Sequence, residues 1–159
     1  MENKRIIAVI GASVPTEDEY QAAYRVGQLL AERGALLICG GMGGVMEAAC
    51  RAAQMAGGVT IGLLPGSDPG DANAFVSIPI ATGLGEMRNG LIVRACESAI
   101  AIGGGAGTLA EIALAVKAGK RVLGLTSFSI QIHGEETDFI LHVKTPEEAV
   151  DLALGSSKL

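Results

Sequence analysis

Residues 98–111 read SAIAIGGGAGTLAE, and this stretch decides the fold. Its first part, Ser98 to Ile102, is a continuous run of small and apolar residues, which predicts a strand buried on both faces. A glycine-rich segment follows, although glycine loses more backbone entropy on folding than any other residue. The apolar pattern from Leu109 to Ala118 then predicts a helix. A carboxylate, Glu111, thus comes directly behind a strand and a glycine loop.

The rest of the chain repeats this alternation of short apolar runs and longer helical patterns. Strands are predicted at 6–10, 36–39, 59–64, 75–80, 98–102, 121–125 and 139–143, and helices at 16–33, 45–55, 87–97, 109–118 and from 146 to about 155. Pro79 predicts that the fourth strand lies at an edge of the sheet or ends early. Neither a linker nor a repeat interrupts the alternation, so we expect a single domain over residues 1–159.

Strict alternation of strands and helices is typical of one architecture. It predicts an α/β fold in which a Rossmann-like, doubly wound parallel sheet lies between two layers of helices. Ligands of such folds bind beyond the carboxyl ends of the strands, where the strand order reverses. We therefore expect the functional residues in the loops that follow strands.

The composition excludes several classes of protein. Apolar residues make up 49% of the chain and charged residues 18%, which favours a packed core over disorder. Aromatic residues make up only 3%, so the core is expected to be aliphatic. The net charge of −5 and the lack of a basic run disfavour a nucleic-acid partner.

The termini and the cysteines favour a cytoplasmic protein. The apolar run at 6–10 is too short for a signal peptide or a membrane span, so no membrane partner is expected. Cys39, Cys50 and Cys96 show no disulfide or zinc spacing, which predicts small buried side chains in a reducing compartment. The terminal Ser-Lys-Leu, 157–159, matches a peroxisomal signal, but three residues also match by chance.

Glycines follow three predicted strands, at Gly11 (with Ser13), at 40–44 and at 103–107. Each segment precedes a helix, whose N-terminus offers unpaired N–H groups and a partial positive charge. Glycines admit an anion close to that backbone, and the hydroxyl of Thr108 adds a donor. The segments are neither the G-x-G-x-x-G fingerprint nor a P-loop. Tight packing explains a single glycine turn, but two long glycine loops at neighbouring strand ends favour a phosphate site.

Charged residues lie beside these loops. Arg88 is expected either to clamp a phosphate bidentately or to form a surface salt bridge. Glu111 is expected near the first turn of its helix, where it either forms a capping box with Thr108 or faces the ligand. Glu47 is placed like Glu111 and carries the same two interpretations.

Two further groups of polar residues carry weaker signals. His133 and His142 lie in no glycine loop and lack the spacing of a catalytic triad or a metal site, so no metal is expected. Asp68, Asp71 and Asn73 lie in a polar loop that either closes over a ligand or forms a solvated turn.

Together, GGMGGVMEAA (40–49), the Arg88-Asn89 pair and IGGGAGTLAE (102–111) resemble the LONELY GUY (LOG) superfamily, also labelled "possible lysine decarboxylase". The resemblance covers nearly the whole chain. Five residues match the family's PGGxGTxxE motif, namely Gly104, Gly105, Gly107, Thr108 and Glu111. The resemblance implies a phosphoribohydrolase that cleaves the N-glycosidic bond of nucleoside 5′-monophosphates. Arg88 and Glu111 would then be catalytic, with Glu111 stabilising the oxocarbenium-like sugar.

The sequence also departs from the LOG pattern. Gly103 replaces the motif's proline, Asn89 replaces a lysine, and Glu86-Met87 replaces a histidine-glutamate pair. In these features the chain is similar to a neighbouring branch of short proteins that includes the molybdenum cofactor carrier proteins. Those proteins bind a pterin phosphate without turning it over. The resemblance thus implies a carrier for a phosphate-bearing heterocycle, and the hydrolase is the alternative.

Both hypotheses share one predicted binding site. Its residues are Gly11, Ser13, Gly40, Gly41, Gly43, Gly44, Arg88, Asn89, Gly104, Gly105, Gly107, Thr108 and Glu111. Met42 and Met87, with Ser13, are expected in the walls that select the base. Neither hypothesis needs a cofactor for chemistry, and a molybdenum cofactor or a nucleotide would be the bound ligand.

The sequence does not fit the family's older decarboxylase label. A pyridoxal phosphate enzyme needs a Schiff-base lysine, and no lysine lies in a glycine loop, so we reject that label. The resemblance implies a homo-oligomer, a dimer or a tetramer, with the site near a subunit interface.

Overall fold

The computed structural model describes residues 3–155, so the C-terminal Ser-Lys-Leu lies outside the described part of the chain. The strands are β1 (Ile6–Gly11), β2 (Leu36–Cys39), β3 (Thr60–Leu64), β4 (Ile78–Ala81), β5 (Ser98–Ile102), β6 (Arg121–Leu125), β7 (Gln131–Ile132), β8 (Glu135–Glu136) and β9 (Leu141–Val143). The helices are α1 (Glu17–Glu32), α2 (Val45–Met55), α3 (Asn89–Ala95), α4 (Ala106–Lys117) and α5 (Pro146–Ala153).

Seven of these strands form one parallel sheet in the order β4-β3-β2-β1-β5-β6-β9. The order reverses between β1 and β5, because the chain builds outward from β1 in one direction and from β5 in the other. The predicted α/β, doubly wound Rossmann-like fold is therefore confirmed. The carboxyl ends of β1 and β5 meet at the reversal, where ligands of such sheets bind.

The sheet separates two aliphatic core layers. One face of the sheet packs against α1, α2 and α5, and the other packs against α3 and α4. Strand β5, which lies between β1 and β6, is buried along its whole length, as its continuous small and apolar run predicts. In the first layer, Gly27 lets α1 approach α2 closely, because a Cβ on it would lie 2.0 Å from the Ala49 carbonyl oxygen.

Two predicted boundaries are wrong around residue 80. The expected strand 75–80 is shifted, because the Thr60 hydroxyl binds the Phe75 carbonyl at 2.8 Å and parallel pairing starts only at Ile78. Pro79 does lie in an edge strand, as predicted. The expected helix 87–97 is a 3₁₀ turn at Gly85–Arg88 followed by the shorter α3.

The helix after β5 also begins earlier than predicted. It starts at Ala106 and not at Leu109, so Gly107 and Thr108 are helical residues. The sequence pattern missed this start because glycine is a poor helix former, whereas its cost is smaller in a first turn that needs no hydrogen bond. The antiparallel pair β7–β8 was not predicted either. No helix among residues 3–155 is long and apolar enough to cross a membrane.

Candidate functional site

A cavity of about 290 Å³ opens at the carboxyl ends of β1, β2 and β5. Nine residues predicted as ligand-binding line it, namely Gly11, Ser13, Gly40, Arg88, Asn89, Gly105, Gly107, Thr108 and Glu111. Val9, Ile10, Met46, Glu86 and Ala106 complete the lining and were not predicted. The fold therefore brings together residues from four separate segments of the sequence, 9–13, 40–46, 86–89 and 105–111.

The N-terminus of α4 forms one wall of the cavity. The first helical hydrogen bond runs from Leu109 N–H to the Gly105 carbonyl at 3.0 Å, so the N–H groups of residues 106–108 have no acceptor within the helix. The Thr108 hydroxyl accepts the Gly105 N–H at 3.4 Å. A helix end of this kind carries a partial positive charge and attracts anions.

Gly105 and Gly107 have no packing reason to be glycine. A Cβ at either position would meet no heavy atom within 4 Å, and neither residue has a positive φ. A side chain there would project into open space. Close approach by a ligand is the remaining physical reason for bare backbone at these positions.

The other predicted glycines differ in role. A Cβ on Gly44 would lie 2.4 Å from the Ala12 carbonyl oxygen, and one on Gly41 would lie 2.7 Å from Leu64. Both residues have positive φ, so packing and backbone conformation explain them. Gly41, Gly43 and Gly44 do not line the cavity, and Gly104 lies just outside it. Packing and backbone conformation therefore account for two glycines of the segment 40–44, without a ligand.

Arg88 is a buried cation without an ionic partner. The residue is only 9% exposed, one Nη donates to the Asn89 amide oxygen, and its Nε has no hydrogen-bond partner among residues 3–155. Among residues 3–155, no carboxylate lies within 4.0 Å of the guanidinium. The alternative prediction of a surface salt bridge is therefore wrong. Burial of an unpaired charge is costly, so this cation is suited to an anionic ligand.

Glu111 is a half-buried carboxyl in the same cavity. Burial raises its pKa from 4.5 to about 7, and the Arg88 charge opposes that shift. The residue lies one helical turn into α4, because the helix begins at Ala106. The capping box with Thr108 is also wrong, because the Thr108 hydroxyl accepts the N–H of Gly105. Helix capping therefore does not explain Glu111.

The polar loop before β4 supports the second glycine segment. The Asn73 side chain donates to the Met42 carbonyl at 2.8 Å, and its backbone N–H donates to the Gly41 carbonyl at 2.8 Å. Asp68 instead caps a 3₁₀ turn through the Gly70 N–H. Within this loop, then, it is Asn73 that contacts the glycine segment.

The predicted base-selecting methionines do not line the cavity. Met87 is 79% exposed and Met42 is 36% exposed, whereas Met46 on α2 forms part of the wall. Met46 lies on the side of α2 that faces the cavity. The sequence alone gives no signal that Met46, and not Met42, would line the cavity. Glu47 occupies the first turn of α2, where an acid is favourable.

A second, smaller cleft of about 180 Å³ lies at the start of the glycine loop whose later residues line the cavity. Its lining residues are Glu19, Gly103, Gly104, Thr126, Ser127 and Phe128. Gly103 has a φ of +58°, which proline cannot adopt because its ring fixes φ near −65°. The departure from the LOG motif at this position thus has a conformational reason. Sequence reasoning missed Glu19, which gives only the signal of a capping residue.

The cysteines and histidines lie apart from the lining. All three cysteines are free and buried, as predicted. Cys39 and Cys50 are in contact, with their Sγ atoms 3.5 Å apart. This hydrogen bond to Cys50 and burial raise the pKa of the Cys39 thiol. His133 and His142 are exposed and line neither cleft.

The fold and the cavity define a class of protein, a Rossmann-like three-layer α/β protein whose cavity, at the reversal of its strand order, contains a buried arginine. Within that class the chain belongs to the SLOG cluster4 family, whose model matches residues 4–150. An uncharacterised protein from Archaeoglobus fulgidus is 45% identical over 151 residues, which cover 95% of each chain.

Two solved structures of similar proteins concern the molybdenum cofactor. The molybdenum cofactor binding protein of the phototrophic bacterium Rippkaea orientalis is 34% identical, with a TM-score of 0.86 over 98% of this chain and 99% of that one. The Moco carrier protein of Chlamydomonas reinhardtii is 34% identical, with a TM-score of 0.83 over 98% and 100%. The predicted likeness to the carrier branch is confirmed at this level, and membership of the LOG superfamily stays a prediction.

Proposed function

We propose that this protein is a carrier that binds a phosphate-bearing heterocycle, a molybdenum cofactor or a nucleotide, in the cavity at the carboxyl ends of β1, β2 and β5. The observation that carries the proposal is the buried Arg88 guanidinium with its unpaired Nε. A phosphate at this position would supply the acceptors that the protein itself does not, and arginine recognises phosphate bidentately.

The backbone supports the same ligand chemistry. The N–H groups of residues 106–108 face the cavity end of α4 and offer donors to further phosphate oxygens. Gly105 and Gly107 leave this backbone bare, and Thr108 adds a hydroxyl. We expect the phosphate to lie between α4 and Arg88.

Solved structures of similar proteins support the carrier over the hydrolase. Three similar structures, at 33–34% identity, are those of molybdenum cofactor carrier or binding proteins. Glu111 does have a pKa of about 7, which suits a proton donor or acceptor. A protonated carboxyl is equally suited to hydrogen-bond a bound ligand, so base release in solution is the discriminating observation.

One experiment tests the proposal. Purified protein is titrated calorimetrically with ribose 5-phosphate, AMP and molybdenum cofactor released from a molybdoenzyme, and free base is measured in parallel by chromatography. We expect binding without base release. Arg88→Ala should weaken ribose 5-phosphate binding by about tenfold or more, because it removes charge-assisted hydrogen bonds worth about 1.5–3 kcal/mol.

Arg94→Ala is the matched control, since Arg94 is an exposed arginine on the same helix, α3. It should leave affinity unchanged. If Arg88→Ala and Arg94→Ala bind ribose 5-phosphate equally well, the cavity is not the phosphate site. If the wild type releases base and Glu111→Ala does not, the protein is a hydrolase and the carrier proposal fails.

We also propose a homo-oligomer that associates through the outer surface of α3 and α4. In α4, Ile112 and Ala115 are fully buried against the sheet, whereas Leu109 and Leu114 remain 40% and 41% exposed. Leu91 of the neighbouring α3 is 43% exposed. An apolar surface of this kind on a helix layer is typical of subunit contacts. A second copy of the same surface would bury it by two-fold symmetry.

A further inference from the structure

We propose that the cleft beside Gly103 and Gly104 is the heterocycle subsite and that the Glu19 carboxylate selects its occupant. The favoured occupant is a heterocycle that presents adjacent N–H donors, such as the 2-amino-4-oxopyrimidine edge shared by guanine and pterins. The inference rests on the proposed function, because it takes the phosphate of the same ligand to lie at the N-terminus of α4.

The cleft and the cavity are neighbours along one glycine loop. Gly104 lines the cleft and Gly105 lines the cavity, so consecutive residues of one glycine loop contribute to both linings. Consecutive Cα atoms lie about 3.8 Å apart, and the proposal requires a ligand of nucleotide size to extend along this loop from the cavity into the cleft. The cleft volume of about 180 Å³ suits one bicyclic ring system.

Glu19 is held at the cleft by its capping role. Its Oε2 accepts the Thr16 N–H at 2.9 Å, and Thr16 Oγ1 in turn accepts the Glu19 N–H at 3.2 Å. This reciprocal bond fixes the carboxylate so near the loop that a Cβ on Gly103 would lie 2.5 Å from Oε1. Gly103 therefore leaves room for the carboxylate at the floor of the cleft.

The Glu19 carboxylate has unused acceptor capacity. Among residues 3–155, no lysine, arginine or histidine lies within 4.0 Å of it. A carboxylate offers two oxygens with about four acceptor positions, and one backbone N–H occupies only one of them. Its natural partner is a ligand with two neighbouring N–H donors, whereas a second phosphate would be repelled.

The other walls suit a flat ring. A Cβ on Gly104 would lie 2.9 Å from Cε2 of Phe128, so the bare glycine lets the aromatic ring line the cleft closely. Aromatic faces stack on nucleobases. Thr126 has a φ of +47°, a rare conformation for a β-branched residue, and Ser127 donates its hydroxyl to the Gly103 carbonyl at 3.2 Å. These contacts fix the cleft wall to the loop.

The test compares GMP, IMP and AMP with ribose 5-phosphate by calorimetry on the full chain. IMP lacks the 2-amino group of GMP and AMP lacks the donor edge, so we expect GMP to bind about tenfold more tightly than either, the effect of one hydrogen bond to a charged group. Glu19→Gln keeps an oxygen for the Thr16 N–H but removes the charge. It should abolish the preference for GMP and leave ribose 5-phosphate affinity unchanged.

Glu148→Gln is the matched control, because Glu148 accepts the Lys144 N–H at 2.9 Å at the start of α5, away from the cleft. It should leave the GMP preference intact. Equal affinity for the three nucleotides, or a preference for GMP that survives in Glu19→Gln, overturns the inference about the heterocycle subsite. If ribose 5-phosphate still binds in that case, the carrier proposal is unaffected. Failure of the proposed function gives a different result, because the wild type would then not bind ribose 5-phosphate.

Discussion

Gly40 and Arg88 are packed so closely that a Cβ on Gly40 would lie 2.9 Å from an Nη atom of Arg88. The absence of a side chain after β2 thus sets the position of the only buried arginine that the described residues contain. Met46 closes the same space from α2, because a Cβ on Gly40 would lie 3.0 Å from its Sδ. The glycine that follows one strand therefore determines where a cation from a distant segment can rest.

This contact predicts the effect of Gly40→Ala. The new methyl group must displace the guanidinium, so affinity for ribose 5-phosphate should fall by about tenfold while the protein still folds. Calorimetric titration and thermal unfolding measure the two effects. Gly90→Ala is the control, since its Cβ would meet nothing within 4 Å. An unchanged affinity in Gly40→Ala would mean that the phosphate does not depend on the position of Arg88.

Gly107→Ala tests whether the open glycine of α4 serves the ligand. Nothing within 4 Å opposes the methyl group, and alanine is favoured over glycine in a helix by up to about 1 kcal/mol, so the unliganded protein should be as stable or more stable. Affinity for ribose 5-phosphate should nevertheless fall, because the methyl group occupies the space beside the bare backbone. Denaturant unfolding without ligand and calorimetry with ligand separate the two effects. Equal or tighter binding would show that the glycine is not there for the ligand.

Glu111→Gln should alter the pH dependence of stability. Burial raises the pKa of Glu111 from 4.5 to about 7, so the folded state holds a proton that the unfolded state releases between these pH values. The free energy of unfolding therefore falls as pH rises from 4.5 to 7, by at most about 3 kcal/mol at 1.36 kcal/mol per pKa unit. Glutamine does not titrate, so the variant should gain stability over the wild type at pH 8 and little at pH 4.5. If the stability difference between Glu111→Gln and the wild type is the same at pH 4.5 and pH 8, the raised pKa of Glu111 is contradicted.

The apolar surface of α3 and α4 predicts the effect of charged substitutions on assembly. The double variant Leu109→Glu and Leu114→Glu should shift the protein to monomers in light scattering, because buried like charges oppose association. Met55→Glu is the control, since Met55 is 69% exposed on α2, in the opposite helix layer. A monomeric wild type, or an oligomer that survives in the double variant, would contradict the proposed interface.

The sequence predicted most of the fold because its strands and helices have distinct local patterns. The buried runs at β2 and β6 and the helix α2 were predicted with their observed bounds. Boundaries failed where a nonlocal contact decides, or where an element begins with residues of poor local propensity. The start of β4 depends on Thr60, a residue 15 positions from Phe75, and the start of α4 depends on glycines that local propensity disfavours.

The sequence by itself determined the α/β alternation and the glycine loops at the ends of β2 and β5, because apolar periodicity and glycine are visible residue by residue. Only the tertiary structure decided which glycines are required by close packing and which face open space. Packing leaves no room for a side chain at Gly41 and Gly44, whereas Gly105 and Gly107 face open space. It alone showed that Arg88 is buried with no ionic partner in the described part of the chain, and that Glu19 lies against Gly103. Burial and contact between distant segments are properties of the packed sheet, and no local pattern in one sequence encodes them.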